Sequence, residues 1–359
     1  MRSIFINGRF LSQPITGTQR YGHELLRSLD SLLAESEPDV PPITVLIPSS
    51  VRTVPPYRHL QVAQVGNYSG QIWEQFELPH YAKGGLLFTP CGGAPLLHRR
   101  NIITIHDAAV IAAPLGYSRI FRTWYQFLNR WLCRSALHIL TVSNFSKEEL
   151  IKWYGAKAER ITVSYLGSEH VLRTEPERDF LEKHQLRRFE YVLSVGSRNP
   201  NKNLRGLVDT IPYLVKSKIQ VAIAGLNDPK VFGKLRIADN LVCDLGYVND
   251  SELRTLYENA ACFVFPSFYE GFGLPPLEAL ALGCPIVVAN SSALSEIFKD
   301  NALMCNPNDP SDIADKILQI CNNTPVNGRV SNQTFASRFQ WDDCAKITWK
   351  VVERFAKAN

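Results

Sequence analysis

The 359-residue sequence holds no Cys-x-x-Cys pair, no Gly-x-Gly-x-x-Gly string and no uncharged apolar run near the roughly 18 residues that a spanning helix needs. Its eight cysteines stand singly at 91, 133, 243, 262, 284, 305, 321 and 344, several inside apolar runs such as Ala261-Cys262-Phe263-Val264-Phe265. The eight histidines supply no short-range partners for them, which argues against a zinc site or a disulfide framework. Buried thiols in a reducing, cytosolic compartment are expected instead. The missing glycine string argues against a nicotinamide dehydrogenase. Twenty-two prolines and 21 glycines follow no period, which sets aside collagen-like and repeat architectures. Met1-Arg2-Ser3-Ile4-Phe5-Ile6-Asn7-Gly8 reaches a turn too early for a signal peptide, so a soluble chain is expected.

What is present is globular. Apolar residues make up 45% and charged residues 20%, enough for two cores in a chain about twice the usual domain length of about 150. Charge is uneven: residues 1–175 hold 18 Lys+Arg against 13 Asp+Glu, whereas the rest hold 21 of each. A basic half suits an acidic partner such as lipid headgroups or diphosphates. Nucleic acid is not expected, because no zinc finger, RNA-binding aromatic signature or long basic run occurs.

Short apolar strands alternate with helical periods from end to end, which predicts an α/β protein with parallel sheets. In the first half strands are expected at 3–7, 43–47, 85–88, 101–105, 137–142 and 161–163. Helices are expected at about 21–33, after a loop containing Gly17, at 119–134, and at 145–154 opened by Ser143 or Asn144. Residues 171–187 are charged and lack a buried strand, so 173–187 reads as a linker between domains at 1–172 and 188–340. The second half repeats the alternation, with strands at 191–195, 220–224, 241–244, 262–265 and 285–289. Its helices are expected near 204–216, at 250–259 and at 276–282. Residues 341–359 form a last, amphipathic helix, expected to return to the N-terminal domain. Two Rossmann-like halves would face a central cleft, with ligands at the strand C-termini.

The most informative stretch is Phe265-Pro266-Ser267-Phe268-Tyr269-Glu270-Gly271-Phe272-Gly273-Leu274-Pro275-Pro276-Leu277-Glu278-Ala279. A buried strand runs into a glycine-rich turn and a helix start, where backbone N–H groups favour a phosphate. Glu270 and Glu278 flank the turn. A second strand–helix junction reads Ser194-Val195-Gly196-Ser197-Arg198-Asn199-Pro200-Asn201-Lys202-Asn203-Leu204 and carries two cations.

Glu270 and Glu278, with Gly-Phe-Gly-Leu-Pro between them, resemble the E-x7-E motif of glycosyltransferase family 4, retaining nucleotide-sugar enzymes of the two-domain GT-B fold. The likeness extends through Gly283-Cys284-Pro285-Ile286-Val287-Val288-Ala289, Asn306-Pro307-Asn308-Asp309-Pro310 and Gly196–Leu204. It implies that Glu270 contacts donor-sugar hydroxyls and Glu278 the nucleotide ribose, with Gly271, Phe272, Gly273 and Leu274 facing sugar and diphosphate. Lys202 would grip the diphosphate. The family's arginine commonly follows the glycine directly, where this chain has Ser197, so Arg198 is displaced by one. Gly17, Gly196 and Tyr247 complete the expected donor-binding set, and Arg20 is assigned to phosphate or acceptor. His106, in Thr104-Ile105-His106-Asp107, matches a histidine that family members point at the donor sugar. A structural role or half of a metal-dependent pair also stays open for it.

No Asp-x-Asp occurs, so no metal and no other cofactor is expected. The resemblance implies retaining, metal-independent transfer of a hexose from a nucleoside-diphosphate sugar to a sugar hydroxyl of a lipid-linked or surface-polysaccharide acceptor. Mannose from GDP-mannose is the first expectation; UDP-glucose, UDP-galactose and dTDP-rhamnose stay open. The alternatives are a non-catalytic binding relative and a GT-B sugar-nucleotide enzyme such as an epimerase. The 119–134 helix sets Phe121, Trp124, Tyr125, Phe127 and Trp131 among Arg119, Arg122, Arg130 and Arg134. It reads either as an interfacial helix on the inner, anionic membrane face or as a core helix whose arginines snorkel.

Overall fold

The computed structural model describes residues 3–34, 42–197, 199–225, 241–323 and 326–358. The chain divides into two compact units, one comprising Met1–Ala112, Ser118–Gly167 and Gln340–Asn359, the other Ala113–Tyr117 and Ser168–Phe339. Each carries one parallel sheet.

In the first unit the strands are β1 (Ile4–Asn7), β2 (Ile43–Ile47), β3 (Gln61–Gln64), β4 (Leu86–Thr89), β5 (Asn101–Thr104), β6 (His138–Thr141) and β7 (Ile161–Val163), in the order β3-β2-β1-β4-β5-β6-β7. Its inner strands are buried on both faces, and for that reason they read as continuous apolar runs. Helices α1 (Gly17–Ala34), α2 (Arg119–Ser135) and α3 (Asn144–Tyr154) belong to this unit. Ser143 caps α3 by accepting the Ser146 N–H at 3.0 Å, and Gly155 closes it in the left-handed conformation. Helix α2 buries Leu128, Asn129, Leu132 and Cys133 and leaves Ile120, Phe127 and Trp131 exposed on the other side. The C-terminal helix Trp341–Lys357 lies in the same unit, with Trp341 buried beside Tyr21 at a ring distance of 6.2 Å.

The second unit orders β8 (Tyr191–Val195), β9 (Gln220–Ala224), β10 (Val242–Gly246), β11 (Cys262–Phe265), β12 (Ile286–Ala289) and β13 (Leu303–Cys305) as β10-β9-β8-β11-β12-β13. Val192, Val221, Ile223, Val264, Val287 and Ile317 build one of its cores. Its helices include α4 (Leu204–Val208), α5 (Asp250–Asn259), α6 (Leu274–Ala281) and α7 (Ser292–Phe298).

Four sequence expectations are revised. The helix near 204–216 is broken: α4 ends at Val208 and a new turn starts at Ile211, because Pro212 has no N–H to continue the ladder. Helix α6 begins at Leu274, two residues before the expected Pro276, with Gly273 as its cap. Gly17 is the first residue of α1 rather than part of a loop before it. Residues 173–187 fall within the second unit and contain a short helix, Phe180–Lys183, whose Phe180 is buried. All eight cysteines are free; six are buried, and Cys243 and Cys321 are half-buried.

One buried charge cluster holds the first unit's β1 end. Glu74, in a π-type helical segment Trp73–Glu77, is fully buried, and its Oε1 accepts from Asn7 Nδ2 at 2.8 Å and Arg9 Nε at 2.9 Å. Burial pushes its carboxyl from 4.5 up to about 7. The folded state therefore holds this proton where the unfolded chain has lost it, and stability drains as pH rises from about 4.5 to about 7. Glu74→Gln keeps the shape without the titration. The stability of wild type relative to this variant should fall by up to roughly 3 kcal/mol across that window, read by thermal or urea unfolding at several pH values. A difference that stays flat with pH rejects the assignment.

Candidate active site

The site-bearing loops of the second unit start from β8 and β11, which are hydrogen-bonded neighbours and deliver their C-termini to the same edge. After β8 the chain makes a short 3-10 turn, Pro200–Lys202, capped by Asn199, whose Oδ1 accepts the Asn201 N–H at 2.9 Å. Asn203 follows at φ +51° in the left-handed region and caps α4. Its Oδ1 accepts the Gly206 N–H at 3.1 Å, while Nδ2 donates to the carbonyls of Pro266 at 3.1 Å and Pro307 at 2.7 Å. The Phe268 N–H donates to Asn201 O at 2.8 Å. The two loops are thus tied together by backbone and side chain.

This tie brings the expected pair into contact. Lys202 Nζ lies 2.7 Å from Glu270 Oε1 and 5.2 Å from the Phe265 ring centroid. The lysine side chain keeps 26% of its surface exposed and the glutamate 12%, so both remain within reach of a ligand. The Glu270 N–H donates to Ser292 Oγ at 3.0 Å, and its carbonyl accepts the Ala293 N–H at 3.4 Å. Gly273 stands at φ +104°, and a Cβ built on it would lie 2.6 Å from Leu294 Cδ2 and 2.9 Å from a Phe298 ring carbon. Both reasons demand glycine here. Gly271, Phe272 and Leu274 are buried around it.

Glu278, just over one turn into α6, is buried, and its carboxylate is held from two sides. Its Oε1 lies 2.9 Å from His170 Nε2, and its Oε2 accepts from Tyr257 OH at 3.1 Å. Burial and this carboxylate push the Tyr257 hydroxyl well above its ordinary value, so it stays a donor. Each oxygen still has a second lone pair, the valence needed to accept a vicinal diol.

The other expected residues are placed as follows. Gly196 lies just past β8, its N–H bonded to Ala224 O at 3.1 Å. Tyr247, beyond β10, is 84% exposed. Arg198 lies outside the described residues. His106, Gly17 and Arg20 belong to the first unit. His106 is two residues past β5, its ring edge-on to Tyr21 at 4.7 Å, and burial pushes it down to about 4, so it is neutral at pH 7. Its Nε2 is buried without a partner among the described residues. Gly17 is exposed with open space where a Cβ would stand, and Arg20 is half-buried in the first turn of α1. Among the described residues no cluster of three His, Cys, Asp or Glu could hold a metal ion.

Three residues in this geometry are not anticipated from sequence: Asn203, Tyr257 and His170. Asn203 carries a usable local signal, an asparagine directly before an apolar helical run. The other two meet Glu278 from 21 and 108 residues away, and no local pattern marks them.

A family model described as glycosyl transferases group 1 matches residues 177–336, and one described as glycosyltransferase family 4 matches residues 15–169. The chain is 32% identical over 268 residues to O-antigen chain mannosyltransferase B of Escherichia coli, covering 70% of each chain. It is 28% identical over 257 residues to O-antigen chain mannosyltransferase RfbU of Salmonella typhimurium, covering 70% of this chain and 69% of that one. Among solved structures, sucrose-phosphate synthase from Thermosynechococcus elongatus aligns over 99% of both chains at TM-score 0.75 and 17% identity, a likeness of fold.

Asn203 offers a direct test of the tie. Asn203→Ala loses three side-chain hydrogen bonds and places a Cβ-only residue at positive φ, which should destabilise by about 2–4 kcal/mol. Asn203→Gly tolerates the φ and should cost about 1–3 kcal/mol. Urea unfolding of both variants checks the order; an Ala variant as stable as wild type rejects the role.

Proposed function

The chain belongs to the group 1 glycosyltransferases, and on that premise we propose that it moves mannose from GDP-mannose, with retention at the anomeric carbon, to a sugar hydroxyl of a lipid-linked or surface-polysaccharide acceptor. The observation that carries the site assignment is the Lys202–Glu270 contact at 2.7 Å beside the glycine-rich start of α6. The mannosyl choice and the polysaccharide acceptor follow the names of the two relatives at 32% and 28% identity.

In this reading the bond between the anomeric carbon and the donor's phosphate oxygen breaks, and the acceptor hydroxyl bonds on the same face. The acceptor's proton passes to a phosphate oxygen of the departing nucleoside diphosphate. Lys202 neutralises the charge growing on that leaving group, and the amides of residues 271–274 with the α6 N-terminus supply further positive potential. Glu270 accepts donor-sugar hydroxyls, and Glu278 accepts the ribose diol. His106, as a neutral ring, offers Nε2 to a sugar hydroxyl, and Arg20 serves phosphate or acceptor. The cations and helix terminus take the place of a metal.

A screen of GDP-mannose, UDP-glucose, UDP-galactose and dTDP-rhamnose for turnover in excess EDTA tests the reading. GDP-mannose should be consumed, and Lys202→Ala should cut kcat at least about a hundredfold with the fold intact. Full activity in Lys202→Ala, or a metal requirement, overturns it.

Peripheral membrane association through α2 belongs to the same proposal. Ile120, Phe127 and Trp131 are 85%, 54% and 47% exposed on one face, with Arg130 and Arg134 beside a cavity of about 280 Å³ that Phe127 and Trp131 also line. Among the described residues no helix is long and apolar enough to cross a membrane. Each arginine near an anionic surface contributes about 1 kcal/mol. Flotation with anionic vesicles should show binding at low salt that weakens at high salt and with Arg119, Arg130 and Arg134 changed to Gln. No binding at low salt removes the membrane from the account.

A further inference from the structure

We propose that His170 is a positioning residue for donor binding: it orients the Glu278 carboxylate toward the nucleotide's ribose. The inference rests on the reading of Glu278 as the ribose acceptor and deepens it. His170 is buried in the 3-10 turn Glu169–Arg173, near the point where the chain enters the second unit at Ser168. Its Nε2 lies 2.9 Å from Glu278 Oε1, and a carboxylate only accepts, so the ring nitrogen is the donor.

The need for such a residue follows from the side chain it holds. The last torsion of glutamate is broad and roughly two-fold, so a carboxylate with one partner swings about its axis. A vicinal diol donates two hydrogens in one plane and is met bidentately only by a carboxylate with a fixed plane. Tyr257, from α5, fixes Oε2, and His170, from a separate element, fixes Oε1. With both bonds made, the carboxylate plane is set and the remaining lone pairs are left for the ligand. Rigidity of this kind is present before the nucleotide arrives and lowers the entropy lost on binding.

A structural role alone would lower stability without singling out the nucleotide. The test therefore measures GDP and UDP binding by calorimetry, with the GDP-mannose KM and kcat, for wild type, His170→Ala, His170→Gln and Glu278→Gln. His170→Ala should weaken binding of the preferred diphosphate and raise KM about tenfold or more, with kcat within about threefold. His170→Gln places an amide N–H near the Nε2 position and should recover to within about threefold of wild type. Wild-type affinity in His170→Ala, or a folded His170→Gln as weak as His170→Ala, overturns the proposal. Should His170→Ala fail to fold, His170→Leu against His170→Gln, similar in size and differing in the donor, carries the same decision. If Glu278→Gln leaves diphosphate binding unchanged, the ribose reading itself falls. If Glu278→Gln weakens binding and His170→Ala does not, only the positioning role falls.

Discussion

The buried carboxamide of Asn203 braces the two strand-end loops of the second sheet against each other. β8 and β11 run side by side in the same direction, and the ladder between them pairs Val192 with Cys262 and Leu193 with Phe263, ending before the loops begin. Beyond that point nothing in the sheet obliges the loops to stay together. Asn203 Nδ2 supplies a cross-connection to Pro266 and a further bond to Pro307 beyond β13, its Oδ1 caps α4 at Gly206, and the backbone bond from Phe268 to Asn201 adds a second tie between the two loops. Asparagine is among the few residues with a side chain that visit the left-handed region readily, so one residue can turn the chain, cap α4 and brace the neighbouring loop. Lys202 directly before it and Glu270 four residues after Pro266 inherit their mutual position from that brace.

Three carboxylates illustrate how the surroundings set what an acid can do. Glu74 is fully buried with most of its hydrogen bonding on one oxygen, and burial wins over the pull of Arg9, leaving it half-protonated near neutrality. Glu270 sits against a lysine at a partly open position, where a charged ligand can exchange with that partner. Glu278 is buried but has a donor on each oxygen, which satisfies the group without filling its valence. The first arrangement suits a structural clamp; the other two suit ligand contacts.

Several short apolar strands are read to the residue from sequence, the partly buried edge strand β7 among them, whereas the fully buried β4, β5 and β6 are each off by a residue at one or both ends. The boundaries of β2, β7, β8, β9 and β11, and of α5 with its Asn249–Glu252 capping box, coincide with the expected ones. Strand β3, Gln-Val-Ala-Gln, is missed because it lies at the sheet edge, largely exposed and without apolar alternation. β13 is only three residues long, and α7 and the helix Pro310–Asn323 follow turn-rich segments that mask their starts. At the site, contiguous motif residues such as Glu270 and Gly271–Leu274 are legible because the turn chemistry is local. Lys202 is picked out by its place in the family-like Gly196–Leu204 string. His170 and Tyr257 are not, since what selects them is a shared carboxylate that only the folded chain creates.

Gly273 is constrained from two directions, by its positive φ and by Leu294 and Phe298 of α7, which occupy the space a Cβ would need. The loop from Glu270 into α6 therefore cannot widen or slide without disturbing the core beneath it. On the proposed assignment its amides meet the sugar and diphosphate, parts that every nucleotide-sugar donor shares. Redesign toward a different nucleobase would leave residues 270–278 as they are and vary other walls of the unit. Random substitution libraries should find this nine-residue segment nearly intolerant while its surroundings accept change.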